Sequence, residues 1–240
     1  MNINAAGLSG PALAGRLRGG AGEPVHIRNC CGQRYIGCGQ ASGRIEVSGT
    51  PGNALGAYMD GGAIRVHGNA QDAVGDTMNE GEIWVEGRAG DAAGYAMRGG
   101  RLFIRDDVGY RAGVHMKEYG DKRPALVIGG CAGSFLGEYQ AGGTILVLGL
   151  GCEGRPLVGN FCGRGMYGGR IYLRAGSPPT GLDSRLLCAR AGAAELAEIE
   201  RLVKAFCKGF GRAADPVMQG GFYCVRPDDE NPYRQLYAPI

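Results

Sequence analysis

The stretch GGAIRVHGNAQDAVGDTMNEGEIWVEGRAGDAAGYAMRGGRLFI, from Gly61 to Ile104, states one pattern three times. Each unit opens with a glycine and continues with two aliphatic residues that are separated by one other residue. The opening glycines recur every 19 residues and later at longer intervals, and they are Gly43, Gly62, Gly81, Gly100, Gly143 and Gly169. A second column of glycines, meaning residues at one position of successive units, keeps the same intervals: Gly37, Gly56, Gly75, Gly94, Gly113, Gly137 and Gly163. A period near 20 residues with glycine at fixed positions is typical of stacked repeat proteins.

The aliphatic pairs predict one strand per unit, because alternation with a period of two marks a half-buried strand. The pairs are Ile45/Val47, Ile64/Val66, Ile83/Val85, Leu102/Ile104, Leu126/Ile128, Ile145/Val147 and Ile171/Leu173. Two further apolar columns are Leu55, Val74, Ala93, Ala112 and Leu136, and Met59, Met78, Met97, Met116 and Met166. Three inward columns predict a three-sided coil, and parallel crossovers are right-handed. The sequence therefore predicts an all-β fold, a single-stranded right-handed parallel β-helix of about eight coils over residues 24–176.

Both ends of the chain lack the repeat. Residues 1–23 are rich in glycine, alanine and arginine and are predicted to form a lead-in or an N-terminal cap. Residues 177–240 are predicted to hold a C-terminal helix and an extended arm that begins at Phe222. The helix is expected from Ala191 to Phe210, where apolar residues recur at helical spacing. We expect it to cover the last coil or to dock on the flank of the β-helix.

Composition limits the classes of function. Forty-seven of the 240 residues are glycine, far above the usual share of about 7%, and this excess fits repeated turns. A net charge of +3 with both signs interspersed gives no basic patch for nucleic acid. No apolar run approaches the ~18 residues of a membrane span, and no signal peptide is recognised, so we expect a cytoplasmic protein that does not bind membranes.

The nine cysteines include no C-x-x-C pair. Zinc sites and iron–sulfur clusters use such spacings, and disulfide frameworks use an even number of cysteines. We therefore expect reduced thiols, no metal site and no cofactor bound by this chain.

Polar residues that share a column are candidates for catalysis. Asp72 and Asp91 do so, and parallel β-helix enzymes that cleave polysaccharides use clustered carboxylates. Capping of the turns by these side chains is the favoured interpretation, because no third acid or base joins them in phase. The histidines His26, His67 and His115 fall in different columns, and the first two are expected to be solvated. We therefore predict no catalytic residue and no cofactor-binding residue in this chain.

One unit breaks the period after Met116, where the segment HMKEYGDKRPAL adds five residues. A charged, irregular excursion with an aromatic residue is a typical binding site on a regular repeat protein. We predict that it is a partner interface, with a merely solvated loop as the alternative. The candidate residues are His115, Lys117, Glu118, Tyr119, Lys122 and Arg123.

The segment VGYRAGVHMKEYGDKRPALVIGGCAGSFLGEYQAGGTILVLGL (Val108–Leu150), followed by VGNFCGRGMYGGRIYLR, points to a known family. It resembles the glycine-rich GXGXG domain at the C-terminal end of the large subunit of glutamate synthase, and the resemblance spans the whole repeat region. A GXGXG domain on a chain of its own resembles the split, archaeal type, in which the large subunit is divided among separate proteins.

The resemblance implies a noncatalytic scaffold subunit of a glutamate synthase complex, a glutamine:2-oxoglutarate amidotransferase. The implied partners are a glutamine amidotransferase subunit and an FMN/iron–sulfur synthase subunit. The implied cofactors, FMN and an iron–sulfur cluster with FAD or NAD(P)H as further candidates, belong to those partners. Met1 is followed by Asn2 and not by the nucleophilic cysteine of the amidotransferase part.

Two alternatives remain. The same domain type resembles a subunit of formylmethanofuran dehydrogenase and of methylamine-linked glutamate methyltransferases. The second alternative is a β-helix enzyme that acts on polysaccharide.

Overall fold

The computed structural model describes residues 1–18 and 24–228. In this part of the chain the strands are β1 (Asn2–Asn4), β2 (Val25–Cys31), β3 (Arg44–Thr50), β4 (Asp60–His67), β5 (Glu80–Val85), β6 (Arg101–Ile104), β7 (Ala125–Ile128), β8 (Ala141–Val147), β9 (Gly168–Arg174), β10 (Leu186–Arg190) and β11 (Phe222–Pro227). The helices are α1 (Gly10–Arg18), α2 (Ala193–Gly209) and α3 (Asp215–Met218).

The strands form one sheet in the order β1-β2-β3-β4-β5-β6-β7-β8-β9-β11-β10. From β1 to β9 each strand runs parallel to the next, because each is joined to its neighbour by a long connection. At the far edge β11 pairs antiparallel with β9, and β10 pairs antiparallel with β11. The repeat therefore builds β2 to β9, the N-terminal part of the chain adds the parallel edge strand β1, and the C-terminal part builds the opposite edge.

The predicted fold class, a single-stranded right-handed parallel β-helix, is wrong. The described strands form one open, mostly parallel sheet. The prediction gave each of the three inward columns a side of its own, but only the column of aliphatic pairs lies on strands. The residues between strands turn through left-handed backbone conformations, and outside the strands the units meet in single bridges such as Ala70 with Ala89. Turns and single bridges do not make a second or third sheet.

The aliphatic pairs face one another across the parallel strands in the register that the repeat predicts. Ile64 lies opposite Ile45 on one side and Ile83 on the other, and Val66 follows the same register. These side chains are buried, as are the leucine/alanine and methionine columns. They belong to one core that runs the length of the sheet. Burial of each large aliphatic side chain contributes about 1.5–3 kcal/mol.

The turns depend on glycine in the column from Gly37 to Gly163. At Gly56 the backbone φ is +65°, a conformation that glycine adopts without strain. A Cβ at this position would also overlap the Ile83 Cδ1 atom of β5. The Gly56 N–H donates to the Ile36 carbonyl at 2.8 Å, so the turns are hydrogen-bonded from unit to unit as the strands are.

Helix α2 packs on the outer face of the sheet. Its first turn is closed by Glu195, whose Oε2 accepts from the Gly192 N–H at 2.9 Å, and its apolar face buries Ile199, Val203 and Phe206. The outward strand positions that these residues cover are apolar in β6 to β9: Phe103, Val127, Leu146 and Tyr172. Of the two places predicted for the helix, it takes the flank.

The two ends of the chain complete the edges of the sheet. At the N-terminus β1 pairs with β2, and Leu13 of α1 is buried in the main core with Ile3 and Ile36. The arm predicted from Phe222 begins with β11, and its residues 229–240 lie outside the described residues. Among the helices of the described ranges, none combines the length and the apolar character needed to cross a membrane.

We expect Gly56→Ala to destabilise the chain more than the matched variant Gly75→Ala. Both glycines have positive φ, +65° and +69°, so both variants carry left-handed strain of about 1–2 kcal/mol. At Gly75 the nearest atom to a new Cβ, Leu102 Cδ2, would lie 3.5 Å away. Only Gly56→Ala adds overlap with a buried strand, which costs about 1–3 kcal/mol more. Equilibrium urea unfolding measures the difference, and equal midpoints would contradict this account of the turn.

Candidate interaction surface

The stacked acids Asp72 and Asp91 are bound to backbone. The Asp91 N–H donates to Asp72 Oδ1 at 3.0 Å, and the Tyr110 N–H donates to Asp91 Oδ1 at 2.8 Å. In a neighbouring column, Asp107 Oδ1 accepts from the Cys131 N–H at 2.9 Å. Each carboxylate thus ties its turn to the next unit, which is the capping role favoured from the sequence.

His67 lies between two glutamates on the polar half of the outer sheet face. Its Nε2 is 2.6 Å from Glu46 Oε2, and its Nδ1 is 3.1 Å from Glu86 Oε2. Arg65 donates to the same Glu86 carboxylate at 2.6 Å and to the carbonyl of Gly209, at the end of α2, at 2.7 Å. His67 is exposed, as expected for a solvated histidine. The prediction missed its pairing, which arises because the register places His67 between the units that carry the two glutamates.

The charges of this trio support one another. Burial acts to lower the pKa of His67, but its hydrogen bonds with Glu86 and Glu46 outweigh burial and raise the pKa above the ordinary 6.5. Burial acts to raise the pKa of each glutamate, and the hydrogen bonds from His67 and from Arg44 or Arg65 hold both below the ordinary 4.5. The arrangement therefore favours the charged forms of all three groups.

Cys131 and Cys152 are joined by a disulfide, which corrects the expectation of nine reduced thiols. The two cysteines are 21 residues apart in the sequence, and the C-x-x-C spacing considered in the sequence analysis does not describe such a pair. One ligand atom each of Asp107 and the two cysteines lies within 4.8 Å of the others, a grouping that suits a metal ion. The sulfurs are bonded to each other, however, and the Asp107 carboxylate accepts from Arg155 at 3.0 and 3.3 Å. The cluster acts as a cross-link, and the absence of a metal site stays a prediction.

A polar cavity of about 340 Å³ lies between the excursion and α2, lined by Glu118, Thr144, Arg170, Glu198 and Arg226 among others. The Arg170 Nη1 atom is 2.8 Å from Glu198 Oε2, and the Tyr172 hydroxyl donates to the same oxygen at 3.1 Å. Burial raises the pKa of Tyr172, so its hydroxyl stays protonated. Because Arg170 and Glu198 pair with each other, we assign no ligand to the cavity.

The excursion after Met116 folds into a tight turn on the protein's own surface. Tyr119 and Lys122 form an antiparallel bridge, in which the Lys122 N–H donates to the Tyr119 carbonyl at 3.0 Å. The Lys122 Nζ atom lies 3.0 Å from Glu80 Oε2 and 3.5 Å from Asp60 Oδ1. The excursion therefore reaches back over the starts of β4 and β5.

The other residues predicted at this interface differ in their exposure and their pairing. Glu118 and Arg123 pair with each other at 2.7 Å, and Glu118 Oε1 also accepts from the Gly143 N–H at 3.1 Å. Tyr119 is 59% exposed, and Lys117 forms no ion pair with any residue in the described ranges. Of the five candidates from Lys117 to Arg123, Tyr119 and Lys117 thus remain available to a partner.

Two columns of residues on the turns were not identified from the sequence, and most of their large side chains are exposed. They stand two residues before and two residues after each glycine of the column from Gly37 to Gly163, so the same interval could have identified them. All of their members have positive φ. The first column is Tyr35, Ala54, Ala73, Ala92, Arg111, Phe135 and Phe161, and the second is Gly39, Tyr58, Thr77, Ala96, His115, Tyr139 and Gly165.

In the last units the rings of these columns stack. His115, which was predicted as part of the excursion, lies on Tyr139 with ring centroids 5.3 Å apart, and Phe135 lies on Phe161 at 5.0 Å. Left-handed backbone costs a residue with a bulky side chain about 1–3 kcal/mol.

Two arginines lie on this group of rings. The Arg111 guanidinium lies 5.2 Å from the Phe135 ring centroid, and that of Arg164 lies 5.3 Å from the Phe161 centroid. A cation placed over an aromatic face is attracted by the ring quadrupole. We call this group the aromatic turn face: Arg111, His115, Phe135, Tyr139, Phe161 and Arg164.

The repeat with its glycine column is the feature by which known proteins can be compared with this chain. The sequence model of the GXGXG motif family matches residues 24–220. The chain belongs to the GXGXG family. The match continues past residue 176, the predicted end of the repeats, and includes α2.

Proteins similar to this GXGXG chain include one relative by sequence and one chain of a solved complex. The uncharacterized protein MJ1350 of Methanocaldococcus jannaschii is 40% identical over 225 residues, which cover 90% of this chain and 86% of that protein. Among solved structures, a chain of the formyltransferase/hydrolase complex FhcABCD from Methylorubrum extorquens, crystallised with methylofuran, has a TM-score of 0.63. That likeness covers 85% of this chain and 73% of the other at 24% identity, so it establishes a shared fold.

We expect Asp91→Ala to destabilise this GXGXG chain and Asp91→Asn to leave its stability nearly unchanged. The alanine variant leaves the Tyr110 N–H without its acceptor, a loss of about 0.5–1.5 kcal/mol, whereas an asparagine oxygen can still accept. Urea unfolding of both variants against wild type provides the measurement. If the two substitutions were equally costly, the carboxylate would have a role other than capping.

We expect the stability of the wild-type chain to fall more than that of His67→Gln as pH rises from about 6 to about 9. A histidine with a raised folded-state pKa holds its proton more tightly when folded. Its contribution is complete below the unfolded pKa of about 6.5 and is lost as pH rises through the raised folded value. Urea unfolding at several pH values tests this, and parallel pH profiles for the two proteins would rule out the His67–glutamate link as a source of stability.

Proposed function

We propose that this chain is a noncatalytic subunit that holds partner subunits together in a multi-subunit complex. The observation that carries the proposal is the GXGXG match over residues 24–220, joined to the shared fold with a chain of the formyltransferase/hydrolase complex. A fold built from one repeated unit offers a long, rigid surface for several partners.

The acidic and histidine side chains that were considered for catalysis already form hydrogen bonds within the protein, and this supports a noncatalytic role. The Asp72 and Asp91 carboxylates accept backbone N–H groups, and His67 is held between two glutamates. Groups engaged in this way stabilise the repeat and have fixed partners, so they are poorly placed to bind a substrate.

Two kinds of complex are candidates, a relative of the formyltransferase/hydrolase complex and a glutamate synthase. The fold shared with the solved formyltransferase/hydrolase chain favours the first. The glutamate synthase type is the second candidate, and the segment Val108–Leu150 favours it through its resemblance to the domain of that enzyme. In the second case the FMN, the iron–sulfur cluster and any FAD or NAD(P)H belong to an FMN/iron–sulfur synthase subunit, which works with a glutamine amidotransferase subunit.

Purification of the tagged chain from its source under mild conditions tests the proposal. We expect partner subunits in fixed ratio, identified by peptide mass spectrometry, and we expect the chain separated from them to be colourless and inactive. Formyltransferase- or hydrolase-type partners favour the first candidate, and amidotransferase and flavin subunits favour the second. A chain that purifies alone, or that has its own activity, would refute the scaffold function.

The excursion provides a variant that separates assembly from folding. Replacing Lys117–Arg123 with the Arg-Gly pair that stands at this place in the preceding unit removes Tyr119 and the ion pairs of Lys122. Exposed ion pairs contribute little to stability, so the thermal melting of the isolated variant should match that of wild type. We expect its yield of co-purified partners to fall. Undiminished assembly would leave the excursion as solvated surface.

A further inference from the structure

The aromatic turn face carries side chains that the fold does not require. Its rings stand on left-handed backbone, while glycine takes the same positions at Gly39 and Gly165. Tyr139 and Phe161 are 43% and 49% exposed, so these rings add little to the core. Glycine could occupy these positions without strain, and the rings are exposed to solvent. The strained backbone therefore points to a function of these side chains.

The charges that this face exposes are the guanidinium groups of Arg111 and Arg164. Asp183 interacts electrostatically with Arg164 but forms its ion pair with Arg185 at 2.8 Å. Arg111 and Arg164 lie over their phenylalanine rings, and neither forms a salt bridge with a residue that the structure describes. Glu138, in the turn that lies between them, is buried. A guanidinium held on a ring presents its N–H groups in a fixed direction, and a carboxylate is the group that matches them.

We propose that the aromatic turn face binds a partner subunit through a protein segment that presents carboxylates flanked by apolar side chains. The inference rests on the proposed function, because it requires a partner subunit. The carboxylates pair with Arg111 and Arg164, and the apolar side chains cover the rings of Tyr139 and Phe161. Aromatic and arginine side chains supply much of the binding energy at protein interfaces.

Other occupants fit the face less well. A second copy of this chain, related by a two-fold axis, would bring arginines against arginines, and like charges oppose binding. A neutral polysaccharide could stack on the rings but would leave Arg111 without a counter-charge and Arg164 with only the Asp183 carboxylate, which already pairs with Arg185. Both remain outcomes of the test.

The test uses the intact complex purified from the source, with the photoreactive residue p-benzoylphenylalanine in place of Phe161. A second strain carries it in place of Tyr58, which is also exposed and left-handed but lies outside the face. After irradiation, peptide mass spectrometry locates the attachment. We expect position 161 to cross-link to a segment of a partner subunit that contains acidic and apolar residues, at least about tenfold more than position 58 does.

Several results would overturn the inference. They are a cross-link to this same chain or to a glycan, equal cross-linking from the two positions, and no cross-link at position 161 in a complex that contains partner subunits. If the wild-type chain purifies without partners, the proposed function fails as well, and the two failures are therefore distinguishable.

Two variants test the chemistry of the contact. Arg111→Glu combined with Arg164→Glu should weaken binding of the cross-linked subunit at least about tenfold, and lysine in place of the partner's carboxylates should restore part of it. Phe135→Gly combined with Phe161→Gly should also weaken binding about tenfold, while melting of the isolated chain stays close to wild type because glycine accepts the left-handed backbone. Undiminished binding by both variants would contradict the proposal.

Discussion

Each repeat has to reverse direction beside a column of buried aliphatic residues, and left-handed backbone is what allows it. Three residues of each turn, two positions apart, have positive φ, and the central one is glycine. At Gly56 this glycine also makes room for the Ile83 side chain. Because each turn is hydrogen-bonded to the next, the geometry of one unit is passed to its neighbour. The strands β1 to β9 then lie parallel and in phase.

Because the units stack in phase, equivalent residues of successive units lie next to each other in columns. Each column has one structural role. Aliphatic and methionine columns form the core. Asp72 and Asp91 tie turns together. On the outer face the task changes along the sheet, because Glu46 and His67 pair with each other at one end. At the other end, apolar positions receive α2. In the last units the two turn columns carry large side chains, and these belong to the aromatic turn face.

Features that depend on the period alone could be predicted from the sequence. The register of Ile64 with Ile83 and the burial of the methionine column required only the 19-residue interval.

The predicted fold class was wrong, because an inward apolar column does not distinguish a strand from a turn. The pairing of β11 between β9 and β10 depends on chain that returns to the sheet after α2, and no periodic signal marks it. The contacts of His67 and the Cys131–Cys152 link depend on side-chain geometry between units. The columns of Phe161 and Tyr139 were in phase and could have been found.

The repeat forms a regular, hydrogen-bonded scaffold. The excursion, which is held to the sheet by ion pairs, and the aromatic turn face give it surfaces that are suited to binding other proteins. In the proposed function, the contribution of this chain to a reaction is spatial. The most direct measurement uses cells that lack this chain. Size-exclusion chromatography gives the size of the complex that remains, and mass spectrometry of the fractions identifies the partner subunits. We predict that the partners elute as separate, smaller species and rejoin when the purified chain is added back. Partners that elute together at an undiminished size, less only the mass of this chain, would contradict the scaffold account.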